Sequence, residues 1–214
     1  MTAKSSVDLG FVHRFDAGTD PHAPTLLLLH GTGGDENDLI PLGRAIAPRA
    51  ALLSPRGKVL EHGMPRFFRR LAEGVFDQDD LKRRTEELAA FIEAASREYG
   101  IQQEQVIAVG FSNGANIAAS TLLRYPDSLA GAVLIRAMVP FVPQQTPRLA
   151  QKPILLLSGE RDSIVPRNQP EELASIFRSA AADVSLHWEA ADHALTPGDV
   201  AVAREWLRRF NPRP

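Results

Sequence analysis

The 214-residue sequence contains no cysteine, so disulfides, thiolate nucleophiles and cysteine zinc sites are excluded outright. No apolar run approaches the roughly 20 residues that a membrane-spanning helix requires. The first segment, Met1 to Phe15, lacks the uninterrupted apolar stretch of a secretory signal. A cytoplasmic location without stable membrane insertion is therefore the expectation, and the missing cysteine suits a reducing compartment. An excess of one charge is missing too. The 24 basic residues against 26 acidic ones leave a formal net charge of −2, which offers no general attraction to nucleic acid or anionic lipid. The expected partner is a small molecule, and nucleic acid is not expected. There is also no internal repeat, linker or low-complexity tract.

What is present is the balance of an ordinary globular protein, 44% hydrophobic and 23% charged, at a length that fits one domain spanning residues 1–214. Four apolar runs, Thr25 to His30, Val106 to Phe111, Ala130 to Ile135 and Pro153 to Gly159, are continuous rather than alternating, as strands covered on both faces are. Ala50 to Pro55 and Val184 to Ala190 are weaker candidates for the same sheet. Between the strands lie helical patterns. The clearest is Asp79 to Gly100, with Leu81, Leu88, Phe91, Ile92, Ala95 and Tyr99 on one face and Gly100 as the stop. Others cover Asp38 to Ala47, Ser112 to Arg124, Glu171 to Ser179 and Gly198 to Phe210. Strands alternating with helices predict an α/β fold in one domain, a mostly parallel sheet with helices on both faces. Ligands collect at the carboxyl ends of such strands, so the long connections Ser54 to Gln78 and Arg136 to Gln151 are binding candidates.

The stretch "GFSNG" places Gly110, Ser112 and Gly114 in a G-x-S-x-G pattern between a strand and a helix. That is the context of a nucleophile elbow, whose tight turn holds a serine hydroxyl above the sheet. The competing reading is a glycine-flanked serine that merely caps the helix. A serine nucleophile needs a base, and in this fold an acid and then a histidine follow it in the chain. "LLLSGERDSIVP" offers Asp162 just after a strand, and "WEAADHALTP" offers His193 before the last helix. Glu160 and Asp192 are rivals for the acid. Among the histidines, His13, His22 and His62 precede the elbow, and His187 falls within a strand. The charge developing on a carbonyl oxygen also needs amide donors. The residue after the nucleophile, Asn113, supplies one. The glycine-rich loop His30 to Gly34 supplies a second, with Thr32 the candidate and Gly33 its nearest competitor.

Other chemistry fits poorly. "GTGGDEND" lacks the Lys-Ser/Thr ending of a phosphate loop, and a dinucleotide fingerprint from Gly31 would need glycine where Glu36 stands. The acidic cluster Asp35 to Leu39 reads as a capped helix start rather than a metal site. A calcium loop beginning at Asp77 would need glutamate where Leu88 stands. No metal site or cofactor is expected.

Taken together, "LLLLHGTGGDE", "GFSNGA", "GERDSIVP" and "DHAL" resemble the oxyanion, elbow, acid and histidine loops of the α/β-hydrolase superfamily. The narrower resemblance is to its small phospholipase/carboxylesterase group, which includes acyl-protein thioesterases and bacterial hydroquinone-associated hydrolases. It covers nearly the whole chain and implies Ser112 as nucleophile, Asp162 as acid, His193 as base, and Thr32 with Asn113 as oxyanion amides. It implies hydrolysis of small or medium carboxylic esters through an acyl-enzyme, with lysophospholipase or acyl-thioesterase activity as the alternative. A non-catalytic binding protein of the same fold is a third reading, against which the intact serine, acid and histidine argue. The thioesterases commonly carry glutamine where this chain has Asn113, and the chain has no room for a large helical cap. The resemblance also admits a homodimer. In the long loops, Arg56, Arg66, Phe67 and Met138 are candidate substrate contacts, and a loop guanidinium suits a substrate carboxylate. The bland alternative gives the arginines surface ion pairs and makes the phenylalanines anchors to the core.

Overall fold

A computed structural model of the chain describes residues 9–210, so the two ends of the expected 1–214 domain lie outside the described residues. Strands β1 (His13–Asp16), β2 (Thr25–Leu29) and β3 (Leu52–Pro55) come first. The hairpins β4 (Val59–Glu61) with β5 (Met64–Arg66) and β6 (Arg70–Ala72) with β7 (Val75–Phe76) follow, then β8 (Val106–Phe111), β9 (Gly131–Ile135), β10 (Pro153–Gly159) and β11 (Asp183–Glu189). The helices are α1 (Ile40–Ile46), α2 (Gln78–Tyr99), α3 (Asn113–Arg124), α4 (Asn168–Ser179) and α5 (Pro197–Leu207). Seven strands form one sheet in the order β1-β3-β2-β8-β9-β10-β11, parallel except for β1, which runs antiparallel to β3 at the edge. Every strand expected from an apolar run is in that sheet. The edge strand β1 was not expected. Its HRFD sequence is half-buried along its length and gives no continuous apolar signal.

Successive side chains of the covered strands divide between two cores. Leu27, Leu29, Ala108, Leu134 and Leu156 join Leu88 and Phe91 of α2, Ile117 of α3 and Phe177 of α4 on one face. Leu26, Leu28, Val109, Val133 and Leu157 join Leu42 of α1 and Trp206 of α5 on the other. This two-sided burial is why the strands read as unbroken apolar runs. Helix α2 starts at an Asp77 cap, whose carboxylate accepts from the Asp80 amide, and stops at Gly100 in the left-handed region (φ 65°). The acidic cluster before α1 corrects an expectation. Leu39 holds the cap position without a side-chain bond, and the helix enters through Pro41. Asp35 instead closes a turn by accepting from the Asn37 amide. The segment between β3 and α2 forms the two short hairpins, not a helical cap.

The strand order reverses between β2 and β8: after β3 the chain crosses back to lay β8 on the other side of β2. The loop after β2 and the turn after β8 therefore meet at the switch point where open parallel sheets bind ligands.

Candidate active site

The turn between β8 and α3 is so tight that only glycine fits at two of its positions. A Cβ on Gly110 would lie 2.6 Å from the Ala115 nitrogen, and one on Gly114 would lie 1.9 Å from the Leu29 carbonyl oxygen. Between them Ser112 is held at φ 52°, ψ −113°, a backbone region costly for any residue with a side chain. Its amide donates to the Ile135 carbonyl at 2.8 Å, which pins the turn to the end of β9. Ser112 occupies the cap position of α3 but its hydroxyl makes no cap bond, so the capping alternative does not describe what the side chain does.

The hydroxyl meets a histidine instead. Ser112 Oγ lies 3.0 Å from His193 Nε2, and His193 Nδ1 lies 2.8 Å from Asp162 Oδ2. The carboxylate only accepts, so Nδ1 carries the proton and Nε2 is left to accept from the serine. The Asp162 side chain is 1% exposed, and its other oxygen accepts from the amides of Ile164 (2.8 Å) and Val165 (3.0 Å), which fixes the carboxylate from its own loop. The rivals point elsewhere. Asp192 accepts from the Ala194 amide, forming a turn around His193, and Glu160 is exposed. His187 pairs with Glu189 on β11, and His13 meets Tyr99 across β1.

A cleft of about 290 Å³ opens above the serine, lined by Thr32, Arg66, Phe111, Asn113, Met138 and His193 among others. The Asn113 amide belongs to the first turn of α3 and so has no intrahelical acceptor. The Thr32 amide donates to no backbone carbonyl among the described residues, whereas the Gly33 amide is already given to the Pro65 carbonyl at 3.0 Å. Of these two amides, that of Thr32 is the one not committed to a backbone carbonyl among the described residues.

The four candidate substrate contacts separate. Arg66 and Met138 border the cleft. Arg56 does not, because Glu36 holds its guanidinium through two bonds of 2.5 and 2.8 Å. That pairing raises the Arg56 pKa. Burial works against the Glu36 carboxylate, but the bond and charge of Arg56 bring its pKa net below the usual value. Phe67 is 1% exposed and stacks obliquely on His30, so it anchors the loop rather than facing substrate. Its amide donates to Asn113 Oδ1 at 2.7 Å, which ties this loop to the elbow. Sequence reasoning missed Asn116, in a helix interior, and Ile164, in the loop after β10, since nothing local marks either as facing the cleft, and among the loop arginines it ranked Arg56 ahead of Arg70, which does line it.

His30, at the root of the glycine loop, is 1% exposed. Its Nδ1 donates to the Gly31 carbonyl (2.6 Å) and its Nε2 accepts from the Gly57 amide (3.0 Å), an arrangement open only to the neutral ring. Burial is the main cause that depresses its pKa. As pH falls below the unfolded-chain value of about 6.5, the unfolded chain takes up a proton that folded His30 refuses, so stability is lost toward the depressed folded value. The urea midpoint of the parent should therefore fall more between pH 7.5 and 5.5 than that of His30→Gln. Equal falls would show that His30 is not the titrating group.

Comparison with known proteins adds to this geometry. A family model described as Phospholipase/Carboxylesterase matches residues 13–211. MhqD of Bacillus subtilis (strain 168) is 47% identical over 196 residues, 92% of this chain and 97% of that protein. The crystal structure of the Bacillus cereus carboxylesterase superposes with a TM-score of 0.90 at 48% identity, covering 92% of each chain. That of a Mesorhizobium loti carboxylesterase does so with a TM-score of 0.89 at 30% identity, covering 97% of each.

Proposed function

The chain belongs to the phospholipase/carboxylesterase family of hydrolases, and from that premise we propose that it is a serine esterase in which Ser112, His193 and Asp162 form the catalytic triad. The reading rests on one observation above all, the unbroken hydrogen-bond chain from Ser112 Oγ through the His193 ring to the buried Asp162 carboxylate. Ser112 attacks the ester carbonyl while His193 Nε2 takes its proton, and Asp162 holds the ring in that tautomer and stabilises the imidazolium. The amides of Thr32 and Asn113 receive the developing oxyanion. The alkoxide leaves with the proton from His193. Water, deprotonated by the same nitrogen, then cleaves the acyl-enzyme. A fluorophosphonate should label the protein once per chain, and peptide mapping should place the adduct on Ser112. An adduct elsewhere, or none, would defeat the assignment.

The cleft favours a short substrate with a polar arm over a long acyl chain. Its small volume holds two guanidiniums, Arg66 and Arg70, which share one carboxylate, Glu61. Glu73, at the rim, is exposed. Arg66 is 4% exposed, donates from Nε to the Phe68 carbonyl and from Nη1 to Thr32 Oγ1, and gives Nη2 to no acceptor among the described residues. Asn113 Nδ2 is buried and likewise has no acceptor among the described residues. Burial lowers the Arg66 pKa, so an anion in the cleft restores the solvation its cation has lost. Replacing Arg66 with Met should raise KM about 10- to 100-fold for an ester bearing a free carboxylate, the range expected for a lost hydrogen bond to a charged group. The neutral isostere should change little, and Arg56→Ala should leave both esters unaffected. A similar rise for both esters would return Arg66 to a structural role.

A further inference from the structure

Arg136 directly follows β9 and is 0% exposed, with a left-handed backbone at φ 56°. A guanidinium has five N–H donors, and each has an acceptor here. Nε donates to the Asp192 carbonyl at 3.0 Å. Nη1 donates to the Leu157 carbonyl (3.1 Å) and Asp199 Oδ1 (3.0 Å), and Nη2 to the Ala194 carbonyl (2.9 Å) and Asp199 Oδ2 (2.8 Å). Asp192 and Ala194 are the residues on either side of His193. Leu157 lies in β10, the strand that leads to Asp162. The residue before Arg136 is Ile135, whose carbonyl holds the Ser112 amide. Asp199 is fully buried as well, and it accepts from the amide and hydroxyl of Thr196, closing the far end of the histidine loop onto α5.

We propose that Arg136, clamped by Asp199, is a positioning residue that sets the His193 ring against Ser112 by gripping the histidine loop through the carbonyls on both sides of it. The inference rests on the reading of Ser112 and His193 given above and goes beyond it. Stability alone does not account for the arrangement, because apolar residues of similar volume commonly match or exceed a buried ion pair. What a guanidinium supplies and an apolar side chain does not is five directional bonds, here shared among the histidine loop, the acid's strand and the start of α5. One dipeptide, Ile135-Arg136, thus fixes the nucleophile through its carbonyl and the base through its side chain.

Two variants test this. Arg136→Lys keeps a cation opposite Asp199 but offers three donors from a single nitrogen, too few to span both carbonyls and the carboxylate. The double variant Arg136→Met with Asp199→Leu removes both charges and leaves none unpaired. In each, kcat should fall at least about tenfold, within the hundredfold that a displacement of about 1 Å can cost, with KM within about threefold of the parent. The rate of phosphonylation of Ser112 should fall in parallel. Leu173→Ala, a core truncation on the opposite face of the sheet, controls for lost stability: its Tm should drop while kcat measured well below that Tm stays at the parent value. Either folded variant with kcat and phosphonylation within twofold of the parent would overturn the proposal. If neither variant folds, NMR of the parent decides. Separate, slowly exchanging signals for the Arg136 guanidinium protons support the grip, and averaged signals overturn it. Labelling of the parent at a residue other than Ser112 would defeat the triad reading. Labelling at Ser112 with unaffected Arg136 variants would defeat this inference alone.

Discussion

Ser112→Ala is expected to lower kcat for ester hydrolysis by about 10⁴- to 10⁶-fold, the range seen when the nucleophile of a serine triad is removed. It is also expected to abolish fluorophosphonate labelling. The fold should survive. The hydroxyl makes no cap bond to α3, and what holds the elbow is the Ser112 amide on the Ile135 carbonyl together with the two glycines, all of which the variant keeps. Alanine bears the same Cβ as serine, so the backbone strain at φ 52° is unchanged. Thermal unfolding should accordingly shift by no more than a few degrees, the scale of about 1 kcal/mol in a protein of this size. Residual turnover would come from the amides of Thr32 and Asn113 acting on a water-attacked ester. A purified variant that turned over within tenfold of the parent would place the nucleophile elsewhere. A variant that lost activity together with its cooperative unfolding would make Ser112 a folding residue.

The parts of the fold that were legible in the sequence are those with a single dominant cause. Strands covered on both faces leave unbroken apolar runs, and the amphipathic α2 carries its own cap and stop. The edge strand β1 and the four strands of the two hairpins were not legible. All their residues but Arg66 are half-buried or exposed, and they pair over two to four positions, too few for a periodic signal. At the site, Ser112, Asp162 and His193 were named because spacing and chain order constrain them, and the structure brings them into hydrogen-bond contact. The surrounding shell depends on tertiary pairing that no local pattern encodes. Arg56 and Arg66 sit in one loop and look alike in sequence, yet Glu36 claims the first and the cleft has the second. Arg136 carried one overlooked signal, a charge immediately after the wholly buried β9, where a cation must find partners or be excluded.

Asp162→Asn is expected to lower kcat by about 10⁴-fold with KM little changed, because an amide in this position selects the wrong histidine tautomer. Asp162 Oδ1 accepts from the Ile164 and Val165 amides, so the oxygen of an asparagine is retained on that side. The amide nitrogen then faces His193 and donates to Nδ1, which drives the ring proton to Nε2. A protonated Nε2 cannot accept from Ser112, so nucleophile and base stay in place but lose the direction of proton flow. Flipping the amide would rescue the tautomer only by setting its NH₂ group against two backbone N–H donors, leaving them unpaired beside a side chain that is almost wholly buried. Glu160→Gln and Asp192→Asn are the matched controls. Glu160 is exposed, and Asp192 serves the turn around His193 by accepting from the Ala194 amide, which an asparagine oxygen does as well. Both should keep kcat within about threefold of the parent, as surface substitutions of small energetic effect do. A larger loss in either control than in Asp162→Asn would move the acid to that residue. An unchanged rate in all three would mean that His193 works without a carboxylate partner, against the 2.8 Å contact from which the assignment was drawn.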